Sequence, residues 1–161
     1  MAVGMSAFAQ EENIFEYQEL QYQITSDNTV KVAYNIEFHD SELIIPEKVT
    51  GSGKEYTVTG ISDGAFSYNR NITDVRISAT VKNIEKSAFE NCSNLTSLTF
   101  EGESQLEQIG AHAFSTTGLT TIDIPATVKT IEYLAFADNT ALRQIYMHSN
   151  NPSGYDKSAF E

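Results

Sequence analysis

At 161 residues the chain has room for one domain, and 22 acidic against ten basic residues give it a formal charge of −12. That field repels a phosphate backbone, so nucleic acid is excluded as a natural partner, and the same charge serves solubility. A single cysteine, Cys92, rules out an intrachain disulfide, and no apolar run approaches the roughly 18 residues that a membrane-spanning helix needs.

Residues 1–9 are small and apolar and then give way to Gln10, Glu11 and Glu12. Ala7-Phe8-Ala9 fits the small-x-small pattern read by signal peptidase, while a positively charged n-region and a full apolar h-region are missing. The stretch reads as the residual tail of a signal peptide, outside the fold, and predicts export.

Residues 10–57 read as an N-terminal cap. Leu20, Tyr22 and Ile24 alternate with polar residues, as do Val30, Val32 and Tyr34, and a cluster of turn formers lies between them. Period-two runs around such a cluster predict a β-hairpin. Ile45-Pro46 followed by Val49 echoes Ile124-Pro125 followed by Val128, which makes this segment a degenerate first repeat. A repeat array needs such an end unit because its first core face would otherwise meet water.

From residue 58 to the end one phrase organises the chain: an apolar residue, three variable ones, then Ala-Phe. It runs Ile61 to Ala65-Phe66, Ile84 to Ala88-Phe89, Ile109 to Ala113-Phe114, Ile131 to Ala135-Phe136 and Tyr155 to Ala159-Phe160. The phenylalanines are 23, 25, 22 and 24 residues apart, a period that marks a solenoid. After each of the first four comes an apolar-x-x-apolar-x-apolar strand: Ile72, Val75, Ile77; Leu95, Leu98, Phe100; Leu119, Ile122, Ile124; Leu142, Ile145, Met147. Alternation turns these side chains inward, and stacking aligns the strands as a parallel sheet on one face. Three residues after Phe stand Asn69, Cys92 and Asn139, with Thr116 or Thr117 filling the slot in the third unit, so Cys92 belongs to a structural column. Residues 101–105 add two positions to their unit and are expected to bulge from the coil.

These spacings resemble the BspA-like (Treponema-type) leucine-rich repeats: Ala-Phe, then Asn or Cys, Leu95-Thr96-Ser97-Leu98-Thr99, then Ile124-Pro125 and Val128. The resemblance implies a right-handed leucine-rich-repeat solenoid, mainly β with short helical or turn segments. It also implies a bacterial secreted or cell-surface protein engaged in adhesion. The array covers residues 58–161. Its last unit carries Pro152 and Tyr155 where aliphatics are expected and stops at Glu161 with no strand after Phe160, which reads as an incomplete unit of a truncated chain.

With the inward positions filled by core, ligand binding falls to the outward strand positions: Asp74, Arg76 and Ser78; Ser97, Thr99 and Glu101; Thr121, Asp123 and Pro125; Gln144, Tyr146 and His148. Stacking aligns columns such as Arg76, Thr99, Asp123, Tyr146, with Tyr146 as the best anchor because interfaces favour aromatics and arginine. Catalysis finds no support. His39, His112 and His148 occupy different repeat positions, and there is no nucleophile elbow, zinc-binding helix or phosphate-cradling loop. No cofactor or metal is expected. The expected role is a monomeric, non-catalytic module binding an extracellular protein or glycan through the strand face. A structural spacer that presents another domain is the alternative.

Overall fold

The computed structural model describes residues 13–35, 37–149 and 154–161, so the signal-peptide reading of residues 1–9 and the Pro152 position lie outside the described residues. The fold is a β solenoid, with thirteen strands and no α-helix among the described residues. Of the short helical or turn segments expected, the coil corners are turns.

The chain opens with an antiparallel meander of β1 (Ile14–Tyr17), β2 (Leu20–Ile24) and β3 (Thr29–Val32). The β2–β3 hairpin is the one the alternation predicts. β1 escapes the sequence pattern because Ile14, Phe15 and Tyr17 do not keep period two. The β1–β2 corner places Gln18 and Glu19 at φ 47° and 65°, the double left-handed geometry of a tight hairpin turn. β4 (Glu42–Ile45), β5 (Lys48–Gly51) and β6 (Lys54–Ile61) follow, with β5 and β6 forming a second hairpin.

From β6 onward each coil contributes two strands. A two-residue strand lies at the isoleucine of the phrase: β8 (Asn83–Ile84), β10 (Gln108–Ile109) and β12 (Thr130–Ile131), stacked in parallel on β6. A four-residue face strand follows the Phe: β7 (Asp74–Ile77), β9 (Ser97–Phe100), β11 (Thr121–Ile124) and β13 (Gln144–Met147). The N-terminal segment substitutes for a preceding coil on both sides. β3 pairs in parallel with β6, and β4 pairs in parallel with β7 with Glu42 opposite Asp74.

The third side of the coil is built by the Ala-Phe turn. The residue two before each of the first four Phe and the residue two after it are left-handed: Gly64, Ser87, His112 and Leu134 at φ 61°, 54°, 57° and 52°, then Tyr68, Asn91, Thr116 and Asp138 at 62°, 59°, 57° and 57°. A non-glycine in that region costs about 1–2 kcal/mol. The return is a ladder of backbone hydrogen bonds to the next coil, such as Phe66 N–H to Ala88 O at 2.8 Å, Tyr68 N–H to Glu90 O at 2.8 Å and Ser87 N–H to Ala111 O at 2.9 Å.

Inside, Phe66, Phe89, Phe114, Phe136 and Phe160 stack in one column, with successive centroids 5.3, 5.2, 5.4 and 5.2 Å apart and rings within 11° of parallel. The first four are buried. Beside the column, the residue three after Phe donates back one coil: Asn69 Nδ2 to Phe38 O at 2.8 Å, Cys92 Sγ to Phe66 O at 3.1 Å and Asn139 Nδ2 to Phe114 O at 2.9 Å. Thr117 fills the third slot, buried and bonded to Asn139 Oδ1 through both its N–H and its hydroxyl. Burial pushes the Cys92 thiol up to about 12, which suits a structural group rather than a nucleophile.

Candidate binding face

The face strands form two sheets, not one. β4, β7 and β9 make a three-stranded sheet, β11 and β13 a two-stranded one, and among the described residues no ladder joins β9 to β11. Arg76 stands opposite Thr99, and Asp123 opposite Tyr146. The expected continuous column of Arg76, Thr99, Asp123 and Tyr146 is therefore two half-columns.

Rungs are missing at both ends of the β9–β11 pair. Before the strand, Thr96 N–H bonds Thr73 O at 3.0 Å and Arg143 N–H bonds Thr120 O at 2.8 Å, whereas neither Thr120 nor Thr121 gives its N–H to Thr96 O. After the strand, Pro125 removes another. In each neighbouring coil the residue just after the face strand donates a closing rung to the coil before: Ser78 N–H to Ile45 O at 3.1 Å, Glu101 N–H to Ile77 O at 2.8 Å and His148 N–H to Ile124 O at 3.2 Å. Pro125 occupies this position after β11 and has no N–H to give. The chain stays close at the other end of the strands, where a Cβ on Gly118 would come within 2.8 Å of Ser93 O. Beyond that approach the two strands part along their length.

The parting opens a cleft of about 630 Å³ lined by Leu98, Thr99, Phe100, residues 102–104, Asp123, residues 125–127 and His148. Its floor departs from the sequence expectation. Val75 and Ile77 on β7, and Ile122 and Ile124 on β11, are at most 1% exposed, whereas Leu98 and Phe100 at the same positions are only partly buried. The two-residue insertion forms one wall. Within the stretch 101–105 that carries it, residues 101–103 are exposed, as the predicted bulge requires.

Of the candidate residues, Arg76, Thr99, Thr121, Asp123, Gln144, Tyr146 and His148 are exposed, and Asp74 and Ser97 are half-buried. Ser78 corrects the expectation: it is 3% exposed, because β7 ends at Ile77 and strand alternation no longer directs its side chain. Ile145 and Met147, expected inside, are exposed on β13, which has a strand partner on one side only among the described residues.

Charge on the face is arranged in local pairs. Arg76 Nη2 meets Glu42 Oε1 at 2.6 Å, and its Nε lies 3.7 Å from Asp74 Oδ1. That Asp74 oxygen is buried without a hydrogen bond, so the guanidinium is its electrostatic compensation. His148 Nε2 contacts Asp123 Oδ1 at 2.6 Å across the β11–β13 pair. The other histidines have their own neighbours: His39 lies 3.7 Å from Glu37, and His112 packs edge-on to Tyr133. The three do not converge. Among the described residues no three His, Cys, Asp or Glu side chains gather to hold a metal, and no helix is long and apolar enough to cross a membrane.

Residues 57–161 match the BspA type leucine rich repeat region in six copies. The chain belongs to that family. Its members are repeat modules that bind or scaffold. The fold is shared with a leucine-rich repeat protein from Bacteroides capillosus ATCC 29799, at 29% identity and TM-score 0.74 over 85% of this chain and 99% of that one. It is shared too with a leucine rich cell surface protein from Faecalibacterium prausnitzii A2-165, at 23% identity and TM-score 0.67 over 83% of this chain. The pneumococcal vaccine antigen PcpA aligns at 23% identity and TM-score 0.70 over 90% of this chain. This chain spans 42% and 38% of the last two, so it represents a part of such larger members. No curated protein matches it.

Proposed function

We propose that the chain is an exported, monomeric, non-catalytic module of a bacterial surface protein, with residues 10–57 capping an array over residues 58–161. Its outward strand face recognises an extracellular protein or glycan. The observation that carries this reading is the half-column on β11 and β13, where Tyr146 is 49% exposed and sits in register with Asp123, itself paired to His148. An exposed aromatic in register beside a carboxylate–imidazole pair is the composition that interface anchors favour. The Faecalibacterium cell surface protein and the pneumococcal antigen support the extracellular setting.

The test is a screen of the purified chain against extracellular-matrix proteins, mucins and a glycan array, with any hit retested on Arg76→Ala, Asp123→Ala and Tyr146→Ala. Saturable binding weakened about tenfold or more by these exposed substitutions establishes the face as the site. A folded chain that binds nothing shifts the role to a spacer.

A further inference from the structure

We infer that the cleft between β9 and β11 takes a basic side chain, lysine or arginine, of a polypeptide partner. This deepens the strand-face reading and rests on it. Four observations converge. The sheet is interrupted there and continuous between its neighbours. Leu98 and Phe100 are only partly buried where the equivalent residues of β7 and β11 are fully buried. The space of about 630 Å³ falls within the size of ligand sites. The ionisable groups lining it are Glu103, Asp123 and His148, which gives the rim an anionic bias in a chain of formal charge −12.

An apolar floor beneath an acidic rim matches the two parts of a long basic side chain. The methylene stem lies on Leu98 and Phe100, and the cation reaches the carboxylates of Asp123 and Glu103. Thr99 supplies a hydroxyl for the flanking backbone, while the Thr127 hydroxyl donates to Ser104 O and that of Ser104 accepts from Leu106 N–H. Asp123 retains capacity for this role, since only its Oδ1 is engaged by His148. A neutral apolar ligand would make no use of the Glu103 and Asp123 carboxylates, and an anionic one would be repelled by them.

The experiment is a titration of the isotope-labelled chain with N-acetyl-arginine amide, followed by amide chemical shifts, alongside its neutral isostere N-acetyl-citrulline amide. Shifts are expected at Leu98, Phe100, Gly102 and Asp123. Arginine should bind about tenfold more tightly than citrulline, a factor set by losing one charge-assisted hydrogen bond. Asp123→Asn should remove that preference. Ala126→Trp, which fills the mouth from an exposed position, should abolish the shifts, while Lys48→Ala on β5, in the cap hairpin away from the face strands, should leave them unchanged. Equal response to the two probes, shifts that map elsewhere, or no response at tens of millimolar overturns the inference. A ligand from the wider screen that is lost with Arg76→Ala or Tyr146→Ala yet indifferent to Ala126→Trp overturns the cleft while leaving the strand face standing.

Discussion

Phe38 meets Phe66 edge-on, with centroids 5.9 Å apart and rings at 77°, whereas every later step of the column is face to face. The T-shaped contact ends the stack: it covers the open face of Phe66 with a ring that offers no parallel face to a further coil. Phe38 is buried, and Phe160 at the other end is only partly so. Substitution costs should follow this gradient. Phe114→Ala, which empties a site covered on both faces, is expected to cost about 4 kcal/mol, Phe38→Ala somewhat less, and Phe160→Ala about 1–2 kcal/mol. Urea unfolding followed by circular dichroism checks the order. A Phe160→Ala cost equal to that of Phe114→Ala would refute the column as the organising core.

Asn139 uses its whole side chain. Its Nδ2 donates to Phe114 O at 2.9 Å and Phe136 O at 2.7 Å, and its Oδ1 accepts from Thr117 N–H at 2.8 Å and Thr117 Oγ at 2.6 Å. Removing it leaves the buried Thr117 groups without their acceptor. Asn139→Ala should therefore cost about 2–3 kcal/mol, more than its loss of volume explains. Asn69→Ala is the comparison: its amide donates to Phe38 O and its oxygen accepts from Asn71 and Ile72 N–H, groups at the more exposed cap side. The smaller loss is expected there, measured by the same denaturant midpoints.

The Phe column and the inward strand positions were legible because the repeat states them several times over at fixed spacing. Phe38 was not, since no alanine precedes it and its ring plays a different role from the other five. The left-handed pairs were hidden for another reason: of the eight residues that flank the Phe turns, only Gly64 is a glycine, so the usual sign of such a backbone is absent. The split face is the instructive case. Leu98 and Phe100 satisfy the apolar-x-apolar pattern as well as Val75 and Ile77 do, but a pattern gives the direction of a side chain and not whether the next coil covers it. Part of the signal lay in Pro125, whose missing N–H breaks the rung that Ser78, Glu101 and His148 each make.

Cys92 should impose a measurable alkaline limit on stability. Burial raises its thiol to about 12 in the fold, from an ordinary value of 9.0. Stability from keeping it neutral is fully present below the ordinary thiol range and is lost as pH rises through that range toward the folded value. Each pH unit inside that window removes about 1.4 kcal/mol. Unfolding free energies at about pH 8 and about pH 10 should thus differ by about 1.4 kcal/mol more in the native chain than in Cys92→Ser, which keeps a donor for Phe66 O. Tyr22 is also raised by burial and by Tyr17, and its own loss begins higher, near the ordinary tyrosine range. An identical pH slope in the two proteins refutes the assignment. A thiol reagent at about pH 8 should label the native chain no faster than it unfolds.

Tyr68 gives the sharpest test of the turn geometry. It is 66% exposed and held at φ 62°, with its N–H committed to Glu90 O at 2.8 Å. Most of its side chain contributes little packing, while its Cβ bears the cost of the left-handed backbone. Glycine relieves that strain and keeps the N–H, whereas alanine keeps both the strain and the N–H. Tyr68→Gly should therefore be more stable than Tyr68→Ala by about 1 kcal/mol, or about 2–4 °C in melting temperature for a chain of this size. Two residues on, Arg70 is exposed and is not among the left-handed residues. There the order should reverse, because glycine adds unfolded-state entropy with no strain to relieve. The pair of pairs separates backbone strain from side-chain loss. Alanine equal to glycine at Tyr68 would mean that the ladder to Glu90, rather than the αL conformation, sets the energy of the corner.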